Sequence, residues 1–251
     1  MSTVICVASG KGGTGKTSVS AGISSYLAAL GHTVCALDAD VGLRNLDLAL
    51  GLNERAVFDF SDVIMKRTTL SHAIVPHSEI SGLWLLAAPF GISEEISKEQ
   101  MQALVSDLRK QFEYCIIDCP AGIGKWLGII ASVCDRAILV ATTDNASLRD
   151  AAITRKAIRA SGVADIRLVI NRVRPRLISK SRAVNLDDAI DITGVQLLGI
   201  VPEDQTVISC ANHGDPVILQ KKSRAATAYK NITLRLLGEH IPIMKLPKKL
   251  I

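Results

Sequence analysis

Residues Gly10–Thr17 read GKGGTGKT, and their flanks decide what they are. Before them lies TVICVAS (3–9), a continuous apolar run. After them Val19, Ile23, Leu27 and Leu30 share one face of a helical pattern, which Gly31 closes as a C-cap. A strand, a turn matching G-x-x-x-x-G-K-[ST] and an amphipathic helix together read as a phosphate-binding loop. Its glycines let successive backbone N–H groups curl around phosphate oxygens, and the positive end of the helix points at the same place. Lys16 is placed to bridge the outer phosphates and Thr17 to offer its hydroxyl to Mg²⁺. Gly10, Lys11, Gly12, Gly13, Thr14, Gly15 and Ser18 complete the cradle. The motif needs one lysine; Lys11 is a second, on the limb opposite Lys16.

Outward from the loop the pattern repeats. Further apolar runs are TVCALDAD (33–40), LWLLAA (83–88), EYCIID (113–118), RAILVATT (136–143), IRLVIN (166–171) and QLLGIVP (196–202). They are apolar at nearly every position, as strands covered on both faces are. Helical spacing fills the gaps, as in Met101, Leu104, Val105 and Leu108, and Ser147 with Asp150 reads as a capping box. The expected fold is α/β: a single-domain, doubly wound, mainly parallel sheet flanked by helices. The domain spans residues 1–238, and a short basic and apolar tail follows at 239–251. In such a sheet the strand tips gather at one edge, where ligands bind. Asp118, ending EYCIID, and the D-A-D of Asp38 and Asp40 would therefore stand beside the phosphates and Mg²⁺.

Composition narrows the class. The 251 residues are 48% hydrophobic and 21% charged, as in a soluble globular protein, and aromatics at 4% argue against a base-stacking platform. No apolar run reaches the ~18–20 residues of a membrane span. The N-terminus lacks a basic leader, so a cytoplasmic location is expected. The six cysteines form no C-x-x-C and read as buried thiols in a reducing compartment. The net charge of +5 is uneven. Residues 221–251 carry eight basic residues against Glu239, and residues 155–182 carry nine against Asp165. Such runs suit a solvated face, DNA or acidic lipid.

KGGTGKT resembles the deviant Walker A loop of the MinD/ParA ATPases. The similarity continues in register from about residue 3 to about residue 238. DADVGLRNLDLALGL (38–52) is similar to switch I of the MinD branch, and IIDCPAGI (116–123) to its switch II. VINRVRP (169–175), GIVPED (199–204) and ANHGDPVI (211–218) resemble its nucleotide edge. The resemblance implies an ATPase that dimerises with ATP, a regulatory activator protein, and spatial positioning, such as division-site selection, on the inner face of the membrane. It also implies roles. Lys11 would cross to the nucleotide of a second copy, tying hydrolysis to pairing. Asp40 would position the attacking water, Asp38 would support the metal region, and Asp118 would sense Mg²⁺ through water. Asn45 would lie near the dimer interface. Asn171 would bind the adenine edge, with Arg172, Pro202, Glu203 and Asp204 beside it.

Three segments depart from the family pattern. EHIPIMKLPKKLI (239–251) carries Pro242 and Pro247 where the MinD branch has a membrane-inserting helix. Proline inside a helix costs ~3 kcal/mol, so membrane binding is expected to be weak or conditional. TTDNASLRDA (142–151) lacks the usual Pro-Glu, which puts the usual partners in doubt, and AAPFGISEE (87–95) replaces L-P-A-S-Q-T. Two rivals remain: a ParA-like partition ATPase binding nonspecific DNA, and an iron–sulfur relative using Cys119 and Cys134.

Overall fold

Every expected strand forms, and one edge strand is added. The computed structural model describes residues 2–91, 95–180 and 182–245. Among these, eight strands make one sheet: β1 (Thr3–Ser9), β2 (Val34–Asp38), β3 (Val75–Pro76), β4 (Leu83–Leu86), β5 (Tyr114–Ala121), β6 (Arg136–Ala141), β7 (Asp165–Val173) and β8 (Leu197–Pro202). Their order is β3-β4-β2-β5-β1-β6-β7-β8. All neighbours are parallel except β3 with β4. The extra strand ends in Pro76, which has no N–H for a second neighbour and so suits an edge.

Helices cover both faces. They are α1 (Lys16–Ala29), α2 (Leu46–Ala49), α3 (Phe60–Ile64), α4 (Leu70–Ala73), α5 (Lys98–Gln111), α6 (Lys125–Ala131), α7 (Asn145–Ala160), α8 (Pro175–Ser179), α9 (Leu186–Thr193), α10 (Gln205–His213) and α11 (Arg224–Leu236). The central strand shows why its sequence is apolar throughout. Val4, Cys6 and Ala8 face one core with α5, α6 and α7, while Ile5 and Val7 face the other with α1 and α11. Cys6, Cys35 and Cys115 are fully buried in β1, β2 and β5, as expected of small apolar thiols. The neighbouring Cys115 and, after it, burial raise the pKa of the Cys35 thiol; at Cys6 a hydrogen bond with Cys119 works the other way but is outweighed by Cys134 and burial.

Three details differ from the sequence reading. Helix α1 is buried almost all round rather than on one face, because α2 and α11 pack against the side away from the sheet. It ends at Ala29, so Leu30 is 45% exposed, while Gly31 takes φ +97° just beyond it. Helix α7 starts three residues earlier than the proposed capping box. Asp144 is its N-cap, accepting from Ser147 N–H at 2.9 Å, and the Ser147 hydroxyl accepts from Thr142 N–H.

After α11 the chain is not helical through Lys245. Ile243 and Met244 pack on the core, and Arg235 Nη1 donates to the Ile241 carbonyl at 2.5 Å. Residues 246–251, with Pro247, Lys248 and Lys249, lie outside the described residues. Among the described residues no helix is long and apolar enough to cross a membrane.

Asp204 joins two helices at the end of β8. Its Oδ1 accepts from Thr206 N–H at 2.9 Å at the start of α10. Its Oδ2 accepts from Ser223 Oγ and from the N–H groups of Arg224 and Ala225, at 2.8, 2.9 and 3.1 Å, at the start of α11. Partial burial opposes the charged form, but these donors outweigh it and hold the carboxyl at about 2. A carboxylate depressed in the folded state contributes stability that is complete above its unfolded pKa of about 3.9 and is lost as pH falls toward 2. Asp204→Ala should therefore lower stability by about 1–2 kcal/mol at neutral pH, as loss of a helix cap does. Denaturant unfolding from pH 7 to pH 2 should show the two proteins converging below pH 4.

Candidate functional site

The loop between β1 and α1 needs left-handed backbone at Gly13 and Gly15, with φ of +78° and +84°. Gly15 is further constrained: a Cβ there would stand 2.2 Å from Asn171 Nδ2. At Gly10 a Cβ would stand 2.5 Å from the Asp150 carbonyl carbon, so the loop also lies tight against α7. Thr14 is 2% exposed, and its hydroxyl is buried without a hydrogen-bond partner. A buried hydroxyl left unpaired in a glycine-rich turn at a helix N-terminus fits an anion-binding cradle.

Behind the loop, Asp118 organises the cations and hydroxyls. It is fully buried on β5. Its Oδ1 accepts from Lys16 Nζ at 3.0 Å and Ser20 Oγ at 2.8 Å, and its Oδ2 accepts from Thr17 Oγ1 at 2.7 Å. Ser20 escaped the sequence reading, although it lies four residues after Lys16 on the same helix face. Asp40 Oδ2 is 4.0 Å from Lys16 Nζ. Burial raises the Asp40 carboxyl, with Lys16 opposing.

Asp38 shapes the tip of β2. Its Oδ1 accepts from Asp40 N–H at 2.9 Å and its Oδ2 from Leu46 N–H at 3.0 Å, so it folds residues 38–46 back on themselves. The register sets it beside Asp118. Burial, reinforced by that neighbouring charge, pushes the Asp38 carboxyl up to about 7. Three acidic side chains thus gather near the one ammonium of Lys16. For a divalent cation, Thr17, Asp40 and Asp118 offer oxygen donors.

Lys11 reaches across to the start of α7. Its Nζ donates to Asp144 Oδ1 at 2.9 Å, the oxygen that also caps α7. Partial burial works against the charged carboxylate, yet hydrogen bonds from Thr142, Lys11 and the Ser147 N–H hold Asp144 at about 2. The pair is exposed, with 38% and 51% of its side chains open to solvent. Such pairs contribute only about 0–1 kcal/mol, so Lys11 is tethered loosely.

Two clefts continue from the loop. One, of 390 Å³, is lined by Lys11, Gly12, Gly13, Thr14, Asp144 and Arg172 among others. The other, of 560 Å³, is lined by Arg174, Pro175, Pro202, Glu203, Asp204 and Ile208 among others. Arg174 and Glu203, hydrogen-bonded to each other, line both. Arg172 holds left-handed backbone at φ +53°. The clefts gather Arg172, Pro202, Glu203 and Asp204 of the expected base-side residues. Asn171 is 4% exposed, and its amide donates to the Thr14 carbonyl at 2.8 Å, bracing the phosphate loop. The Asp204 carboxylate is occupied by its two helix caps. Asn45 is exposed beside α2.

Comparison with known proteins agrees with this geometry. Residues 5–217 match the model of the CobQ/CobB/MinD/ParA nucleotide binding domain. Septum site-determining protein MinD of Bacillus subtilis is 38% identical over 99% of this chain and 94% of its own length. MinD of Synechocystis is 39% identical over 97% of this chain and 92% of its own. Among solved structures, the MinC:MinD cell division protein complex of Aquifex aeolicus superposes with a TM-score of 0.91 at 33% identity, covering 97% and 99% of the two chains. MinD of Pyrococcus horikoshii complexed with Mg-ADP superposes with a TM-score of 0.83 at 26% identity, covering 96% and 100%.

Gly15→Ala should damage the cradle and the fold together. The new methyl meets Asn171, and the backbone is held where an L-residue costs about 1–2 kcal/mol. Fluorescent-nucleotide titration should show affinity reduced at least about tenfold, with a lower Tm in the same protein.

Proposed function

Because the chain belongs to the CobQ/CobB/MinD/ParA family of nucleotide-binding domains, we propose that it is a MinD-like, Mg²⁺-dependent ATPase that pairs with a second copy when ATP is bound. Its task would be septum-site determination or related positioning at the cytoplasmic face of the membrane. The observation that carries the reading is the arrangement of Lys16, Thr17 and Asp40 around buried Asp118, with Lys11 held at the loop's edge by Asp144.

The residues divide the work. The loop amides and the orphaned Thr14 hydroxyl receive phosphate oxygens. Lys16 turns from Asp118 toward the outer phosphates. Thr17, Asp40 and Asp118 would hold Mg²⁺, which would supply charge neutralisation to the phosphates. Asp40 orients a water in line with the γ-phosphorus and takes its proton as the new P–O bond forms. The bond to the ADP oxygen breaks, and the released charge is met by Lys16. The loose Asp144 tether supports release of Lys11 toward the nucleotide of the second copy, where a cation delivered in trans acts only in the closed pair. Turnover of the isolated chain is therefore slow. A regulatory partner is supported by the MinC bound to the Aquifex relative. The proline-bearing tail, residues 239–251, supports weak membrane binding at most.

Asp40→Ala should keep ATP affinity, lose at least about 100-fold in hydrolysis, and accumulate as dimer on size exclusion with ATP and Mg²⁺. Elution only as monomer would remove the assignment of Asp40 to hydrolysis. Lys11→Ala should bind nucleotide as wild type does and stay monomeric; ATP dimers in that variant would exclude the cross-subunit role. Co-sedimentation with anionic liposomes should rise modestly with ATP over ADP. ATP-dependent, salt-sensitive capture by duplex DNA in place of liposomes would favour the partition reading instead.

A further inference from the structure

Ala39 lies between Asp38 and Asp40, and the groups around it are held on every side. Its N–H donates to the Asp118 carbonyl at 2.9 Å. Its own carbonyl accepts from the indole Nε1–H of Trp126 at 2.9 Å. The next N–H, that of Asp40, donates to Asp38 Oδ1 at 2.9 Å. The Ala39–Asp40 peptide is one rigid plane. Both of its polar ends are therefore fixed, the oxygen by Trp126 and the N–H by Asp38. The Asp40 side chain leaves the backbone directly after that plane, so the plane sets where its carboxylate stands.

Trp126 is well built for this hold. It sits in the first turn of α6, two residues beyond the glycine-flanked segment 122–124, where Gly122 takes φ +91°. The indole is half-buried and stacks on Phe60, with centroids 6.1 Å apart and planes 20° from parallel. Phe60 opens α3 and is itself anchored, its N–H donating to the Ala87 carbonyl at 3.0 Å. An indole has one donor and no acceptor, and here that donor goes to the strand tip that carries Asp40.

We propose that Trp126 is a positioning residue for hydrolysis, linking the segment after Asp118 to the peptide plane that aims Asp40. A shift of residues 119–125 then moves α6, and Trp126 carries that shift to the carboxylate. The proposal rests on the ATPase reading above.

Trp126→Phe keeps a stacking ring but removes the donor along with part of the indole's packing area. Its kcat for ATP should fall about three- to tenfold, the effect of one net hydrogen bond, with KM and ADP affinity as in wild type. A second readout uses fluorescence, since the chain has only two tryptophans. Trp84 lies edge-on to Phe112 at 5.3 Å, on β4. In a Trp84→Phe background, the emission of Trp126 should change with Mg²⁺ and a non-hydrolysable ATP analogue and stay constant with ADP. A Trp126→Phe protein with wild-type kcat, one altered in KM alone, or equal emission in both nucleotide states would overturn the proposal. If the wild-type protein, measured alongside, turned over no ATP, the ATPase reading would fall and the role of Trp126 with it; normal wild-type turnover with an unaffected variant would remove the role alone.

Discussion

The site depends on one buried carboxylate. Asp118 is closed to solvent on β5, and its charge is tolerable there only because Lys16, Thr17 and Ser20 all donate to it from the first turns of α1. Removing one partner of such a pair leaves a buried charge uncompensated, at about 3–5 kcal/mol. The same contacts fix the rotation of α1 against the sheet, and with it the direction in which the loop amides point. Chemistry and architecture therefore share atoms. The acid suited to a metal also locks the helix that cradles phosphate.

A second layer of constraint comes from the tip of β2. Asp38 is placed beside Asp118 by strand register, and burial, reinforced by that neighbour, raises its carboxyl to about 7. Its oxygens are satisfied by backbone N–H groups of residues 40 and 46, so it shapes the stretch that carries Asp40. Lys11 is held differently, by an exposed aspartate that α7 needs as its cap. One lysine is locked and the other lightly held, as an internal cation and a cation offered outward should differ.

Much of this was legible in the sequence. The phosphate loop, the strand tips bearing Asp38, Asp40 and Asp118, and the parallel order all follow from local spacing and uniform apolar runs. What escaped were contacts between segments distant in the chain. The hold of Asn171 on Thr14, 157 positions away, is one. The hold of Asp204 on the start of α11 is another. Asp144 was passed over because Ser147 and Asp150 offered a plausible cap three residues later. The near-complete burial of α1 depends on α11, two hundred residues further on, and no window of sequence around α1 carries that information.

The strand order has a further consequence. β2 and β5 lie on one side of β1, and β7 and β8 on the other. The acidic strand tips of β2 and β5 and the strand ends that border the two clefts thus come from opposite wings of the sheet. They are joined through the glycine loop and the helix behind it. Substitutions in either wing can therefore accumulate with little effect on the other, while the hinge between them stays constant.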